Sequence, residues 1–281
     1  MKVGLVLEGG AMRGMYTAGV IDVFLENNVK VDCIIGVSAG ALFGVNYCSN
    51  QKGRVLRYQK KYIKEKNYMG IKTLLKTGNI INKEFAYYDI PFKLDVFDEE
   101  AFSKSRTKFY LTATNIETGK AEYIRIKNTK KEMEYFRATS AMPFVSQIVE
   151  INNKKYLDGA LADSIPLDKM QELGYDKIIV VLTKPKGYRK RKPPKFLANK
   201  KYKQYPKLAQ AINTRYERYN ATIDKIDNLE KKKEIIVIRP SKKVKISRIE
   251  KNIDKLQEMY DLGVEDTKKV LKDLKKYISK K

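Results

Sequence analysis

The chain has 281 residues, 43% of them hydrophobic, with two cysteines and no histidine, and 58 Lys and Arg against 33 Asp and Glu leave a formal net charge of +25. That length builds a full hydrophobic core, while two cysteines exclude a disulfide framework. Without histidine or clustered cysteines a transition-metal site is not expected, and no cofactor is called for. The missing histidines also exclude every mechanism in which an imidazole takes the proton of a serine.

A positive field of this size attracts phosphate-rich partners, either nucleic acid or an anionic membrane surface. A composition rich in Lys, Ile, Asn and Tyr gives the same charge with no partner implied, and both readings stay open here. The N-terminus reaches a glycine loop by Gly9, too early for a signal-peptide core, so a cytoplasmic location is expected, with peripheral contact at the inner membrane face as its extension. The longest apolar run, Ile178 to Leu182, is strand-sized and far from a membrane span.

In chain order, Lys2 to Leu7 reads as a buried strand and Gly9 to Gly14 as a glycine-rich loop. A helical pattern covers Met15 to Glu26, Val31 to Ile35 is a second strand, and Ala41 to Cys48 a second helix. Residues 54 to 105 are less regular, with short basic and aromatic helices and a break at Pro91; strands return at Lys108 to Thr114 and Ala121 to Ile126. Glu132 to Ala138 looks helical, and Asn152-Asn153 turns a hairpin between Val149–Ile151 and Lys154–Leu157. Pro166 opens a helix that Gly174 caps, and Lys177 to Thr183 is an apolar strand.

Pro185 to Lys195 holds three prolines, one glycine and six basic residues, and is a loop. Beyond it, Leu208 through Leu229 keep helical spacing as one amphipathic helix, and Glu234 to Arg239 is a further strand. Two more amphipathic helices are expected, one carrying Ile249, Ile253 and Leu256, the other Val270, Leu271 and Leu274, with Gly263 as the C-cap between them. The order predicts a three-layer α/β/α sandwich around a central, mostly parallel sheet. It forms one domain over residues 1–281: a motif core to 183, the basic loop 184–195, and a strand and helices over 196–281 packing on the same core.

Three short elements carry chemistry. Gly36-Val37-Ser38-Ala39-Gly40 has the G-x-S-x-G pattern of a nucleophile elbow, in which the serine hydroxyl stands exposed on a tight strand-to-helix turn. A serine there sits at a helix N-terminus that favours developing negative charge; alternatively it merely caps the helix. Glu8-Gly9-Gly10-Ala11-Met12-Arg13-Gly14 ends the first strand, and its small residues let backbone N–H groups converge on an anion. A dinucleotide loop would want an acid at the C-terminal end of the second strand. Asp32 lies at that strand's start and the elbow occupies the end, so an oxyanion hole is the better reading. The third element, Asp158-Gly159-Ala160, is by itself just a turn.

Together, a glycine-rich loop on the first strand, G-x-S-x-G on the next and a later D-G-G/A resemble the patatin-like phospholipases. The motifs span residues 4 to 160, the order of elements is similar to about residue 183, and the last third resembles bacterial members only at the level of pattern. The resemblance implies a Ser-Asp dyad that needs no histidine, acting as a lipid acyl hydrolase on acyl esters. Ser38 matches the nucleophile and Asp158 the dyad aspartate that accepts its proton, while Gly9, Gly10, Ala11 and Met12 match the oxyanion loop. Arg13, Gly14, Gly36, Gly40, Gly159 and Ala160 support them. The segment from Ala138 to Pro143 also looks family-like.

The chain departs from the pattern at Ala11, where the family has a third glycine; a methyl group is compatible there if φ is negative. Arg13 either lends charge to the loop or to a lipid phosphate, or ties the loop to the next helix. Apolar and aromatic residues over 68 to 105 (Tyr68, Met69, Phe85, Tyr87, Tyr88 and Phe92 included) offer an approach for acyl chains or simply pack. The competing readings are a retained fold without activity, a nucleotide-binding oxidoreductase, and a phosphate- or nucleic-acid-binding module. Against the last, the tyrosines are scattered and no helix-turn-helix, RNP or zinc signature appears, so no nucleic-acid partner is expected.

Overall fold

The computed structural model describes residues 1–279. Strand β1 (Val3–Leu7) is apolar and buried at every position, as a strand covered on both faces must be. It lies in the middle of an eight-stranded sheet with β2 (Cys33–Val37), β3 (Lys108–Asn115), β4 (Ala121–Ile126), β5 (Val149–Ile151), β6 (Lys154–Asp158), β7 (Lys177–Val181) and β8 (Ile235–Ile238). The order is β5-β6-β3-β2-β1-β7-β8, with β4 paired to β3 off this path. From β3 through β2, β1 and β7 to β8 the pairing is parallel; β4, β5 and β6 add antiparallel pairs. The chain thus forms the expected mixed, mostly parallel sheet between layers of helices.

The helices are α1 (Met15–Glu26), α2 (Ala39–Cys48), α3 (Arg54–Tyr62), α4 (Ile71–Thr77), α5 (Glu99–Lys104) and α6 (Met133–Ser140) in the first half. In the second half come α7 (Leu167–Glu172), α8 (Lys195–Lys201), α9 (Pro206–Asn213), α10 (Arg215–Lys231) and α11 (Ile253–Ser279). Because side chains alternate across a strand, Leu5 and Leu7 join Ile34, Ile179 and Val181 in one core, under α1, α2 and α11. Val6, Cys33, Ile35, Ile178 and Val180 face the other way, onto Leu167 and Met170 of α7 and Tyr219, Ile223 and Ile226 of α10.

Several boundaries differ from the sequence reading. The second strand runs Cys33–Val37 rather than Val31 to Ile35, because the Asp32 carboxylate takes the Val3 N–H at 2.7 Å and the ladder starts only after it. The helix expected over Leu208 to Leu229 is broken at Thr214, whose N–H and hydroxyl both bond the Gln210 carbonyl. The two expected C-terminal helices are one, and Ile249 lies outside it. Gly263 is not a cap. A methyl group there would stand 2.2 Å from the Tyr16 carbonyl oxygen, so this glycine lets α11 cross α1 backbone to backbone. Residues 85–94, read as irregular, form a wide π-helical segment around Pro91.

Candidate active site

At the end of β2 the chain turns sharply through Ser38, at φ +53° and ψ −125°. That conformation strains a non-glycine residue by about 1–3 kcal/mol, so the surroundings must hold it. The Ser38 N–H donates to the Thr139 hydroxyl at 2.9 Å, and that hydroxyl donates to the Thr112 carbonyl at 2.6 Å. Two residues on, a side chain at Gly40 would meet the Leu7 carbonyl oxygen at 2.5 Å, so only glycine lets α2 start this close to β1. Thr139 lies in the family-like segment from Ala138 to Pro143; its role as the peg beneath the elbow was not evident from sequence, since a helical threonine has no distinguishing pattern.

The sheet register explains how Asp158 arrives beside Ser38. β4 runs along one edge of β3, so β2 and β6 must share the other. β2 pairs up to Val37 opposite Thr112, the elbow then leaves the sheet, and β6 takes over with Asp158 opposite Ala113. Ser38 Oγ donates to Asp158 Oδ2 at 3.0 Å. Asp158 Oδ1 accepts the Ala160 N–H at 2.8 Å, and the Asp158 N–H donates to the Ala141 carbonyl at 2.9 Å. Both side chains are almost fully buried, Ser38 at 7% and Asp158 at 6% exposure. Burial pushes the Asp158 carboxyl above the usual carboxylate range; the Arg215 charge opposes this most, followed by the Ala160 N–H and the Ser38 hydroxyl.

The glycine loop touches the elbow: a side chain at Gly9 would stand 3.0 Å from Ser38 Cβ. Among the described residues the N–H groups of Gly9, Gly10 and Ala11 donate to no protein acceptor, whereas that of Met12 reaches the Arg248 carbonyl at 3.4 Å. Ala11 sits at φ +50°, so the negative φ that would accommodate its methyl is not what the chain adopts. Gly14 continues the loop into α1, and Gly36, Gly159 and Ala160 are buried near Ser38 and Asp158. The Arg13 Nε is buried and without a hydrogen-bond partner. Glu8, at the loop's start, is held by neutral donors, the Thr183 N–H at 2.6 Å, the Thr183 hydroxyl at 3.0 Å and the Tyr219 hydroxyl at 2.9 Å.

Two cavities open on Ser38. One, of about 120 Å³, is apolar and lined by Leu42, Phe43, Tyr87, Ile90, Met133 and Phe136 among others. Of the apolar stretch singled out in the sequence, Tyr68, Met69 and Tyr87 line it, while Phe85, Tyr88 and Phe92 pack against the core behind. The other cavity, of about 610 Å³, holds Asp158, the glycine loop, and the cations Arg13, Lys184, Lys190, Arg191, Arg215 and Arg248. Five of the six lie beyond residue 183: Lys184, Lys190 and Arg191 belong to the basic loop noted in the sequence, whereas Arg215 and Arg248 carried no signal there, and a basic run does not say which of its members turn inward. Among the described residues no group of three or more His, Cys, Asp or Glu is placed to hold a metal ion. No described helix is long and apolar enough to cross a membrane.

A family model described as patatin-like phospholipase matches residues 5–170, and one described as a domain of unknown function (DUF6363) matches residues 205–279. The chain is 26% identical to the uncharacterized protein YjjU of Escherichia coli K12, over 93% of this chain and 75% of that one. It is 27% identical to lysophospholipase nte1 of Aspergillus niger and 26% identical to neuropathy target esterase sws of Drosophila melanogaster. Each match covers 64% of this chain but only 12% and 13% of those much longer proteins. Among solved structures, VipD from Legionella pneumophila aligns over 97% of this chain and 67% of that one, at 12% identity and a TM-score of 0.46. Since the first model covers more than half of its length, the chain belongs to the patatin-like phospholipase family.

Proposed function

We propose that this chain is a serine hydrolase of fatty-acyl esters of the phospholipase A or lysophospholipase type, working through Ser38 and Asp158. The observation that carries this reading is the 3.0 Å hydrogen bond from Ser38 Oγ to Asp158 Oδ2 in a chain with no histidine. Asp158 takes the hydroxyl proton as Oγ adds to the ester carbonyl carbon, and the oxyanion is met by the free N–H groups of Gly10 and Ala11, with Gly9 beside them. Collapse of the tetrahedral species expels the alcohol, which leaves with the proton held by Asp158, and the acyl group stays on Ser38. Asp158 then removes a proton from water, hydroxide adds to the acyl carbonyl, and the fatty acid departs as Ser38 is reprotonated. An ordinary aspartate, with pKa about 3.9, is a weak base toward serine, and burial moves Asp158 in the useful direction.

The apolar cavity next to Ser38 suits the acyl chain. Ser38→Ala and Asp158→Asn are each expected to lower kcat/KM on a short-chain ester on the order of a thousandfold or more, with melting temperatures close to the parent. A fluorophosphonate probe should label Ser38 in the parent protein. Near-parental activity in either variant would sink the dyad.

A further inference from the structure

Six cations against two carboxylates line the larger cavity. The Glu8 charge favours the protonated forms of Arg13, Lys184 and Lys190, but two carboxylates do not balance six cations. Glu8 is bound by Thr183 and Tyr219, and Asp158 by Ser38 and Ala160, with Arg215 as its main charge partner. Among the described residues, none of Arg13, Lys184, Lys190, Arg191 and Arg248 lies within ion-pair distance of a carboxylate.

The basic loop divides its charges. Lys186 and Arg189 point outward and pair with Glu230 and Asp224 of α10. Lys184 and Lys190 are half-buried instead, with Lys190 Nζ 4.0 Å from the Tyr219 ring centroid and Lys184 Nζ 4.8 Å from that of Tyr188. Aromatic faces hold cations without neutralising them. Gathering unpaired cations in one cavity is unfavourable by mutual repulsion and desolvation. Lys190 registers that cost: burial and then the Arg215 charge push its ammonium down to about 7, with Arg13 and Arg248 adding to this and Glu8 opposing it.

We propose that this cavity is a phosphate site, with Lys190 and Arg248 as principal ligands, which takes the phosphate of a glycerophosphate headgroup while the ester of the same molecule lies at Ser38. The placement rests on the hydrolase reading, because Ser38 and the glycine loop line the same cavity. Phosphate is the anion that matches several converging cationic donors, and it reaches this cavity either on a lipid headgroup or free.

Binding is measured by calorimetry on the Ser38→Ala protein at low salt, with sn-glycerol 3-phosphate, inorganic phosphate and glycerol as probes. Saturable binding of glycerol 3-phosphate is expected, none of glycerol, and a loss of about tenfold in affinity for each of Lys190→Gln and Arg248→Gln. Melting temperatures serve as the control for folding; relieving a crowd of like charges should leave them unchanged or higher. Tighter binding of glycerol 3-phosphate than of inorganic phosphate identifies the headgroup as ligand, and equal binding identifies phosphate alone. Absence of binding by both phosphates, or binding undiminished in both variants, overturns the site. Because no turnover is involved, phosphate binding by a chain without esterase activity would sink only the dyad, and esterase activity without phosphate binding would sink only this site.

Discussion

The two cavities that meet at Ser38 each contain buried or half-buried cations, but the cations differ in what they touch. On the apolar side Arg54 lines the wall, and its guanidinium is used up: it bonds the Asn46 side chain at 3.0 Å and Asp95 through both the main-chain carbonyl and the carboxylate. Such an arginine ties α3 to the segment ahead of α5 and leaves an interior whose remaining walls are mostly aliphatic and aromatic. On the other side the half-buried Arg13, Lys184 and Lys190 have no such partners, and neither has Arg248, an exposed residue that lines both cavities. A charged residue in a cavity therefore speaks about a ligand only when its charge is unspent, and by that criterion one side of Ser38 is built for hydrocarbon and the other for an anion.

Filling the apolar side tests the assignment most severely. Ala86 is half-buried on its wall, in the π-helical segment. Ala86→Phe should shorten the space open to an acyl chain, and excluding three or four methylenes at about 0.8 kcal/mol each removes roughly 3 kcal/mol of binding. The expected outcome is a roughly hundredfold fall in kcat/KM for a dodecanoyl ester relative to a butyryl ester. An equal fall on both would mean the ring disturbs the dyad, and no fall on either would mean the chain runs elsewhere.

Arg215 lines the larger cavity only, yet its charge acts chiefly on Asp158. A base works deprotonated, so the proposed role of Asp158 predicts that activity falls as pH drops through its pKa. With that pKa raised by burial, the acid limb of kcat/KM lies above the ordinary carboxylate range. Arg215→Gln removes the largest influence that lowers it. The limb should move to higher pH, with a few-fold loss below it and little change on the alkaline plateau. A profile that keeps its limb while losing rate at every pH would make Arg215 a substrate contact instead.

The N-terminal motifs were legible because local chemistry decides them. A buried run, a glycine turn and an Asn-Asn hairpin do not depend on distant residues, whereas the edge of β3 that β2 vacates for β6 is visible only in the sheet register. The C-terminal third was less legible for a specific reason. A glycine in a helical pattern ordinarily marks an end, whereas Gly263 is required by a neighbour, the Tyr16 carbonyl, that no local pattern announces. In the same way the sequence shows six basic residues in the loop Pro185 to Lys195 but not that Lys190 turns toward Tyr219 while Arg189 turns toward Asp224. Inward and outward lysines share one alphabet.

The smallest expected effect falls at Ala11, in the glycine-rich loop. Ala11 holds a left-handed φ of +50°, a conformation that costs an L-residue roughly 1–2 kcal/mol. Ala11→Gly removes that strain but gives the unfolded chain more freedom, which returns about 0.5–1 kcal/mol. The balance is a stabilisation of up to roughly 1 kcal/mol, read as a rise of up to about 2–4 °C in melting temperature. The N–H donor of residue 11 survives the change, so kcat/KM on a short ester should stay near the parent value. A fall of several degrees would mean that the Ala11 methyl contributes packing at the shared wall of the two cavities that outweighs its strain. The alanine would then belong to substrate fit, because that methyl lies where hydrocarbon and anion sides meet.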